Sequence, residues 1–138
     1  MTAGFYGRWV LPVAGVSLAL ATVAGALGAH AFAGQWSASR LSVYDTAVRY
    51  QFYQSLGLLV MGVDLRRLHP DDPTSARRPA VQRRASAPLA LLVGIVLFCG
   101  SLYALSLGAP RWVGILTPFG GGFLILGWAL FAYDMWRS

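Results

Sequence analysis

The sequence contains no lysine, no glutamate and no asparagine, and its 138 residues include one cysteine and two histidines. Charged residues make up only 12% of the chain, whereas a soluble domain usually has about 25%. This scarcity of charge excludes a domain whose whole surface lies in water. The single cysteine, Cys99, excludes an internal disulfide and a metal site built from cysteines. The sequence therefore belongs to the membrane class.

Long uncharged runs account for most of the remaining sequence, and 57% of the residues are hydrophobic. Val10–Ala29, Pro88–Ala109 and Trp112–Tyr133 are each long enough to cross a hydrocarbon core of about 30 Å. The first run exceeds the usual length of a signal-peptide core, so we expect it to be a retained helix. Asp45–Leu65 is a weaker fourth span, because Arg49 near one of its ends and Asp64 near the other must extend toward the interfaces.

The predicted fold class is all-α, an integral membrane four-helix bundle that forms one domain over residues 1–138. The predicted segments are TM1 at 10–29, TM2 at 45–65, an arginine-rich linker at 66–87, TM3 at 88–109 and TM4 at 112–133.

The linker carries six arginines and three prolines, which indicates an irregular cytoplasmic segment. Four spans then place both chain termini in the cytoplasm. The net charge of +6 does not indicate nucleic acid, because the arginines lie beside apolar runs; anionic lipid headgroups are the expected partners. The arginines expected to contact headgroups are Arg66, Arg67, Arg77, Arg78, Arg83 and Arg84.

This topology places most polar residues of the spans at one depth, near the outer ends of the helices. Arg49 is expected to pair with Asp45 four residues earlier, or to reach the carbonyls that end TM1 near Gly28. Polar side chains inside a bilayer need partners, so we expect bonds between helices. The predicted polar cluster consists of His30, Asp45, Arg49, Tyr50, Tyr53, Gln54, Ser101, Tyr103 and Thr117.

Small residues predict close helix packing at two places. Gly25 and Gly28 give TM1 a small face, and Gly100 and Ala104 repeat the spacing in TM3. In TM4, Pro118 removes a backbone donor ahead of three glycines, which predicts a kink.

Four of these stretches resemble the YgdD-like family of small bacterial inner-membrane proteins, whose eukaryotic relatives are called transmembrane protein 256. The stretches are GALGAHAF, YDTAVRYQFYQSLGLL, LFCGSLYALSLG and ILTPFGGGFLILGW. The resemblance implies a four-helix inner-membrane protein with no established activity. Gln54 stands where relatives often have a histidine after the YQxY pattern, which puts a histidine-based mechanism in doubt.

The residues favour an accessory or interaction subunit, or a scaffold, that is not an enzyme and needs no cofactor or metal. A bis-histidine haem would require a second membrane histidine facing His30, and the spans contain none. The alternative function is a transporter or channel for a small solute or ion, which acts as an oligomer. Both hypotheses allow a larger membrane complex or a homo-oligomer as the working form.

Overall fold

The computed structural model describes residues 8–68 and 84–137, and within these ranges the chain forms four α-helices and no β-strand. A π-helical turn, Gly28–Phe32, extends the first helix, and a 3-10 turn, Arg111–Ile115, leads into the last one. The predicted all-α class is confirmed. The helices are α1 (Val10–Leu27), α2 (Ala38–Leu68), α3 (Ser86–Ser106) and α4 (Leu116–Trp136).

Three helical segments among the described residues are long and apolar enough to cross a membrane: Val10–Phe32, Ser86–Ser106 and Arg111–Trp136. Helix α2 has 31 residues and sufficient length. However, it is not among the three, because charged and amide side chains interrupt its apolar sequence. Helix α2 therefore depends on contacts with its neighbours to lie in a bilayer.

Helix α2 is the centre of the bundle, with α1 and α3 packed against it and α4 packed mainly against α3. Helices α1 and α2 are antiparallel. The Ser55 hydroxyl of α2 bonds the Ser17 hydroxyl of α1, whereas Val48, earlier in α2, lies against Gly25, later in α1. We name the two ends of the bundle after Phe32, which ends the turn after α1, and Trp136, which ends α4.

Glycines allow α3 and α4 to approach at backbone distance. A Cβ atom on Gly120 would overlap the backbone nitrogen of Phe98 and lie 2.7 Å from its Cα atom. A Cβ atom on Gly127 would lie 2.9 Å from the backbone nitrogen of Leu91. Both distances are too short for any side chain, so glycine is required at these positions for the two helices to pack as they do.

The small face predicted for TM1 is confirmed, because Gly25 contacts Val48 and Gly28 contacts the Tyr44 ring. The corresponding prediction for Gly100 is wrong, since a Cβ atom there would meet no heavy atom within 4 Å. Gly100 faces a groove between α1 and α3. The close contact of α3 uses Gly94 instead, which lies on a different face of the helix against Leu124.

Several helix boundaries differ from the predicted ones, among them both ends of the predicted linker. Helix α2 continues to Leu68 and α3 begins at Ser86, so both ends of the predicted linker are helical, as suits arginine, a good helix former. Residues 69–83 lie outside the described residues.

Pro118 lies in the first turn of α4, where a missing backbone N–H donor costs little, and the backbone changes from 3-10 to α-helix just before it. Pro118 therefore lies at the start of α4, next to a change of helix type, rather than inside the α-helix.

Candidate functional site

A buried network of polar side chains joins α1, α2 and α3 at the middle of the bundle. Gln51 Nε2 donates to the Ser17 carbonyl at 3.0 Å, and its Oε1 accepts from the Tyr103 hydroxyl at 2.7 Å. The Ser55 hydroxyl lies 2.6 Å from both the Ser17 hydroxyl and the Gln51 carbonyl. Gln51 thus connects three helices with one amide.

The bonds of this network satisfy polar atoms that hydrocarbon could not. Polar contacts between membrane helices contribute about 0.6 kcal/mol on average and up to about 1.7 kcal/mol. Gln51 and Ser55 are buried, and Gln51 uses both amide atoms. The network is well suited to hold helices together.

An aromatic cluster closes the Phe32 end of the bundle. The Phe32 and Trp36 rings stack with centroids 4.0 Å apart, and the Tyr44 ring meets both edge-on. The Tyr44 hydroxyl donates to the Ala24 carbonyl at 2.8 Å. Arg40 lies 4.0 Å from the centroid of the Trp36 ring, and its Nε donates to the carbonyl of Ser106. Tyr44 therefore satisfies a late carbonyl of α1, the alternative role that the sequence suggested for Arg49.

The residues of the predicted polar cluster lie at several separate places. Tyr103 belongs to the network around Gln51, and Ser101 bonds Thr117 at 2.7 Å between α3 and α4. Gln54 accepts a bond from Trp128 of α4 at 2.7 Å. The Tyr50 ring packs on Phe98 of α3 at 4.8 Å between centroids.

The other predicted members lie on the surface of the bundle. Asp45 and Arg49 form an ion pair of 2.8 Å, as the spacing predicts, yet their side chains are 51% and 66% exposed. Tyr53 is 61% exposed and His30 is exposed. These side chains face away from the network around Gln51.

Sequence reasoning missed Gln51, Ser17 and Ser55. The available signal was their spacing, because Tyr44, Gln51 and Ser55 recur at intervals of seven and four residues, which places them on one helical face. That face also carries Leu58 and Leu65, both fully buried in the core.

A second polar cluster lies near the Trp136 end and includes Arg84, which was expected to contact headgroups. Its side chain is only 10% exposed; Nη1 donates to the Asp64 carboxylate at 3.0 Å, and Nη2 lies 3.4 Å from the Asp134 carbonyl. Arg84 therefore joins α2 to α4, because a nearby acid compensates its charge more directly than lipid does. Arg66 and Arg67 are exposed, whereas Arg77, Arg78 and Arg83 lie outside the described residues.

A groove of about 890 Å³ runs between α1 and α3, and its floor is α2. Its walls are nearly all apolar, with Val16 and Leu20 on one side and Ile95 and Val96 on the other. Gln51 and Ser17 border the floor. Across residues 8–68 and 84–137, no three His, Cys, Asp or Glu side chains come together in a way that would hold a metal ion.

The sequence matches a known family model over residues 24–121, described as "Protein of unknown function (DUF423)". The chain belongs to the DUF423 family. Its family resemblance, predicted from four stretches of sequence, is thereby confirmed. No solved structure matches this DUF423 chain.

Curated relatives place the DUF423 chain in a cell membrane. The UPF0382 membrane protein SSP2132 of Staphylococcus saprophyticus is 39% identical over 111 residues, 80% of this chain and 82% of the relative. The UPF0382 inner membrane protein YgdD of Escherichia coli is 32% identical over 128 residues, which cover 89% and 86%. Similarly, YwdK of Bacillus subtilis is 32% identical over 83% and 85%. The chain is a multi-pass protein of the bacterial inner membrane, and the names of these relatives assign no activity.

The network around Gln51 gives a direct prediction. We expect Gln51→Leu to lower the free energy of unfolding in detergent by about 1–2 kcal/mol, because Tyr103 and Ser17 lose a buried partner. The measurement is the circular dichroism of the helices during thermal unfolding. Gln54→Leu is the matched control, since the bond between Gln54 and Trp128 is exposed and its loss costs less. Equal losses in the two variants would contradict a special role of Gln51.

Proposed function

We propose that this protein is a non-catalytic interaction subunit of the inner membrane, whose working form is an assembly with other protein in the bilayer. The observation that carries the proposal is the Asp45–Arg49 ion pair, which lies on the outside of the bundle rather than among the helices. Such a pair requires a surrounding other than lipid chains.

The depth of the pair follows from the register of α1 against α2. Val10–Phe32 contains 23 residues and is about 35 Å long, slightly more than a hydrocarbon core of about 30 Å. Val48 lies at Gly25 and Tyr44 at Gly28. The backbone of Arg49 therefore lies about 12 Å along the helix axis from the Phe32 end of that span, and Asp45 lies about one turn closer to that end. Both residues are therefore within the depth that α1 spans.

Ionisable side chains at such depth face protein or water in nearly all membrane proteins, because hydrocarbon does not solvate charge. More than half of each side chain of the pair is uncovered in the single chain. A protein surface that covers α2 removes this conflict. The internal network around Gln51 supports the same function, since its polar atoms already bond one another and hold the helices together.

Transport is the competing function, and its pathway in this bundle would be the groove between α1 and α3. The groove is open along the bilayer side and has nearly all-apolar walls, with Gln51 and Ser17 at its floor. An ion would meet few polar atoms there. We also propose that Arg66 and Arg67, exposed in the last turn of α2, contact anionic headgroups.

The test is the mass of the particle extracted from native membranes in a mild detergent. We expect native mass spectrometry to show a stoichiometric assembly larger than the 14.8 kDa chain. A liposome flux assay with the purified protein is the control for transport, and we expect no flux of common ions and small metabolites. A monomer as the sole species, or a specific flux, would contradict the proposed function.

A further inference from the structure

The exposed face of α2 follows a heptad pattern. Residues that alternate at spacings of three and four share one side of a helix and form the contact line of a coiled coil. Starting at Ser42, this spacing continues for more than three heptads to Arg66, and every position on it is exposed. The positions are Ser42, Asp45, Arg49, Phe52, Leu56, Leu59, Val63 and Arg66.

We propose that this heptad face of α2 binds the same face of a second copy, with the two α2 helices parallel and related by a two-fold axis along the membrane normal. The inference rests on the proposed function and names the partner. The apolar positions form the centre of the contact; Phe52, Leu56, Leu59 and Val63 are 39%, 42%, 36% and 41% exposed. Tyr53 and Val60, which are 61% and 55% exposed, flank it.

The positions of the charges favour a second copy over an unrelated helix. Asp45 and Arg49 occupy successive layers of the heptad, and their charges sum to zero. In a parallel pair, each Arg49 reaches Asp45 of its own chain and the Asp45 one layer away in the partner copy. This end of the face is thus complementary to itself, as a two-fold interface requires, while Arg66 at the other end is left to the lipid headgroups. The resulting cluster of two acids and two arginines is neutral and shielded from lipid.

An antiparallel pair does not provide this compensation. It would place Arg49 opposite Leu59 and Asp45 opposite Val63, so the charges would face apolar layers. Copies inserted in one orientation, as the arginine distribution predicts, also favour the parallel arrangement. The exposed faces of α1 and α4 are apolar along most of their length and are compatible with lipid. The need for a protein cover is therefore specific to α2.

The first experiment identifies what lies against α2 in native membranes. Phe52 is replaced with the photo-crosslinker benzoylphenylalanine, which reacts with any adjacent C–H bond. Phe119 is the matched control. It is 63% exposed on α4, and its neighbour Gly120 packs on Phe98, whose ring meets Tyr50 of α2, so its depth is similar. We expect irradiation at position 52 to yield a product of twice the chain mass, and at least tenfold less of it at position 119.

The second experiment tests the charges without requiring either variant to pair with itself. Chains with Asp45→Arg and chains with Arg49→Asp are co-expressed with different tags, each carrying the crosslinker at position 52. Each variant has like charges on its own face, while a mixed pair has opposite charges facing one another. We expect crosslinks between the two variants at near wild-type yield, and at least fivefold fewer within either one.

Each outcome has a defined meaning. Crosslinks to a protein of another mass at position 52 would overturn the second copy as partner and leave the proposed interaction function standing. Crosslinks to lipid alone at position 52, together with a monomeric particle after extraction, would overturn both. Equal yields within and between the charge variants would overturn the parallel charge arrangement.

Discussion

Gly120→Leu is expected to separate α3 from α4 and to destabilise the bundle by more than about 3 kcal/mol. A Cβ atom at this position would overlap the backbone nitrogen of Phe98 and lie 2.7 Å from its Cα atom. Backbone atoms cannot move aside as a flexible side chain does, so the two helices must part. Overpacking of an ordinary core costs about 1–3 kcal/mol, and contact with a backbone costs more.

Gly122→Leu is the matched control, because a Cβ atom there meets nothing within 4 Å and leucine is a better helix former than glycine. We expect this variant to unfold at or above the temperature of the wild type. The measurement is thermal unfolding in detergent, followed by size exclusion to detect loss of the folded particle. A Gly120→Leu variant as stable as Gly122→Leu would show that α3 and α4 do not pack through Gly120.

Consecutive glycines illustrate what the sequence alone can predict. Composition and run length predict the membrane class and three of the spans, because each needs only about 20 apolar residues. The choice between Gly120 and Gly122 requires the rotation of α4 about its axis. In a soluble helix the polar face fixes this rotation, but in a membrane helix the lipid-facing and core-facing sides are both apolar. Because the rotation of α3 is equally undetermined by its apolar sequence, Gly100 was wrongly predicted to lie on a packing face.

For the predicted polar cluster, too, the sequence predicts how deep each residue lies but not which way its side chain faces. Topology predicts the depth of a residue, and Arg49, Gln51 and Tyr103 do lie in the same part of the bundle. Depth alone does not separate residues that face the neighbouring helices from residues that face outward. Gln51 points toward α1 and α3, whereas Arg49, two positions earlier, lies on the exposed face of α2. Two residues along a helix correspond to a rotation of about 200°, which reverses the direction of a side chain.

Asp64→Leu is expected to lower the free energy of unfolding by about 2–4 kcal/mol, because it leaves Arg84 buried without its carboxylate. The Arg84 side chain is 10% exposed, and within the described part of the chain its Nε has no hydrogen-bond partner. The cost is placed below the range for a fully buried pair because Asp64 is 26% exposed. Arg67→Leu is the control, since Arg67 is exposed in the last turn of α2 and outside the heptad face, so its loss is expected to cost less than about 1 kcal/mol in detergent.

The double variant Asp64→Leu with Arg84→Leu distinguishes an uncompensated charge from lost packing. Replacing both partners of a buried ion pair with apolar side chains is often neutral or stabilising, because the desolvation cost of both charges disappears. We therefore expect the double variant to recover most of the stability that Asp64→Leu loses, as measured by thermal unfolding of the three proteins in one detergent. A double variant less stable than Asp64→Leu would mean that Arg84 stabilises the bundle mainly through its contact with the Asp134 carbonyl in α4. In that case Arg84 would hold α4 in place without needing the acid in α2.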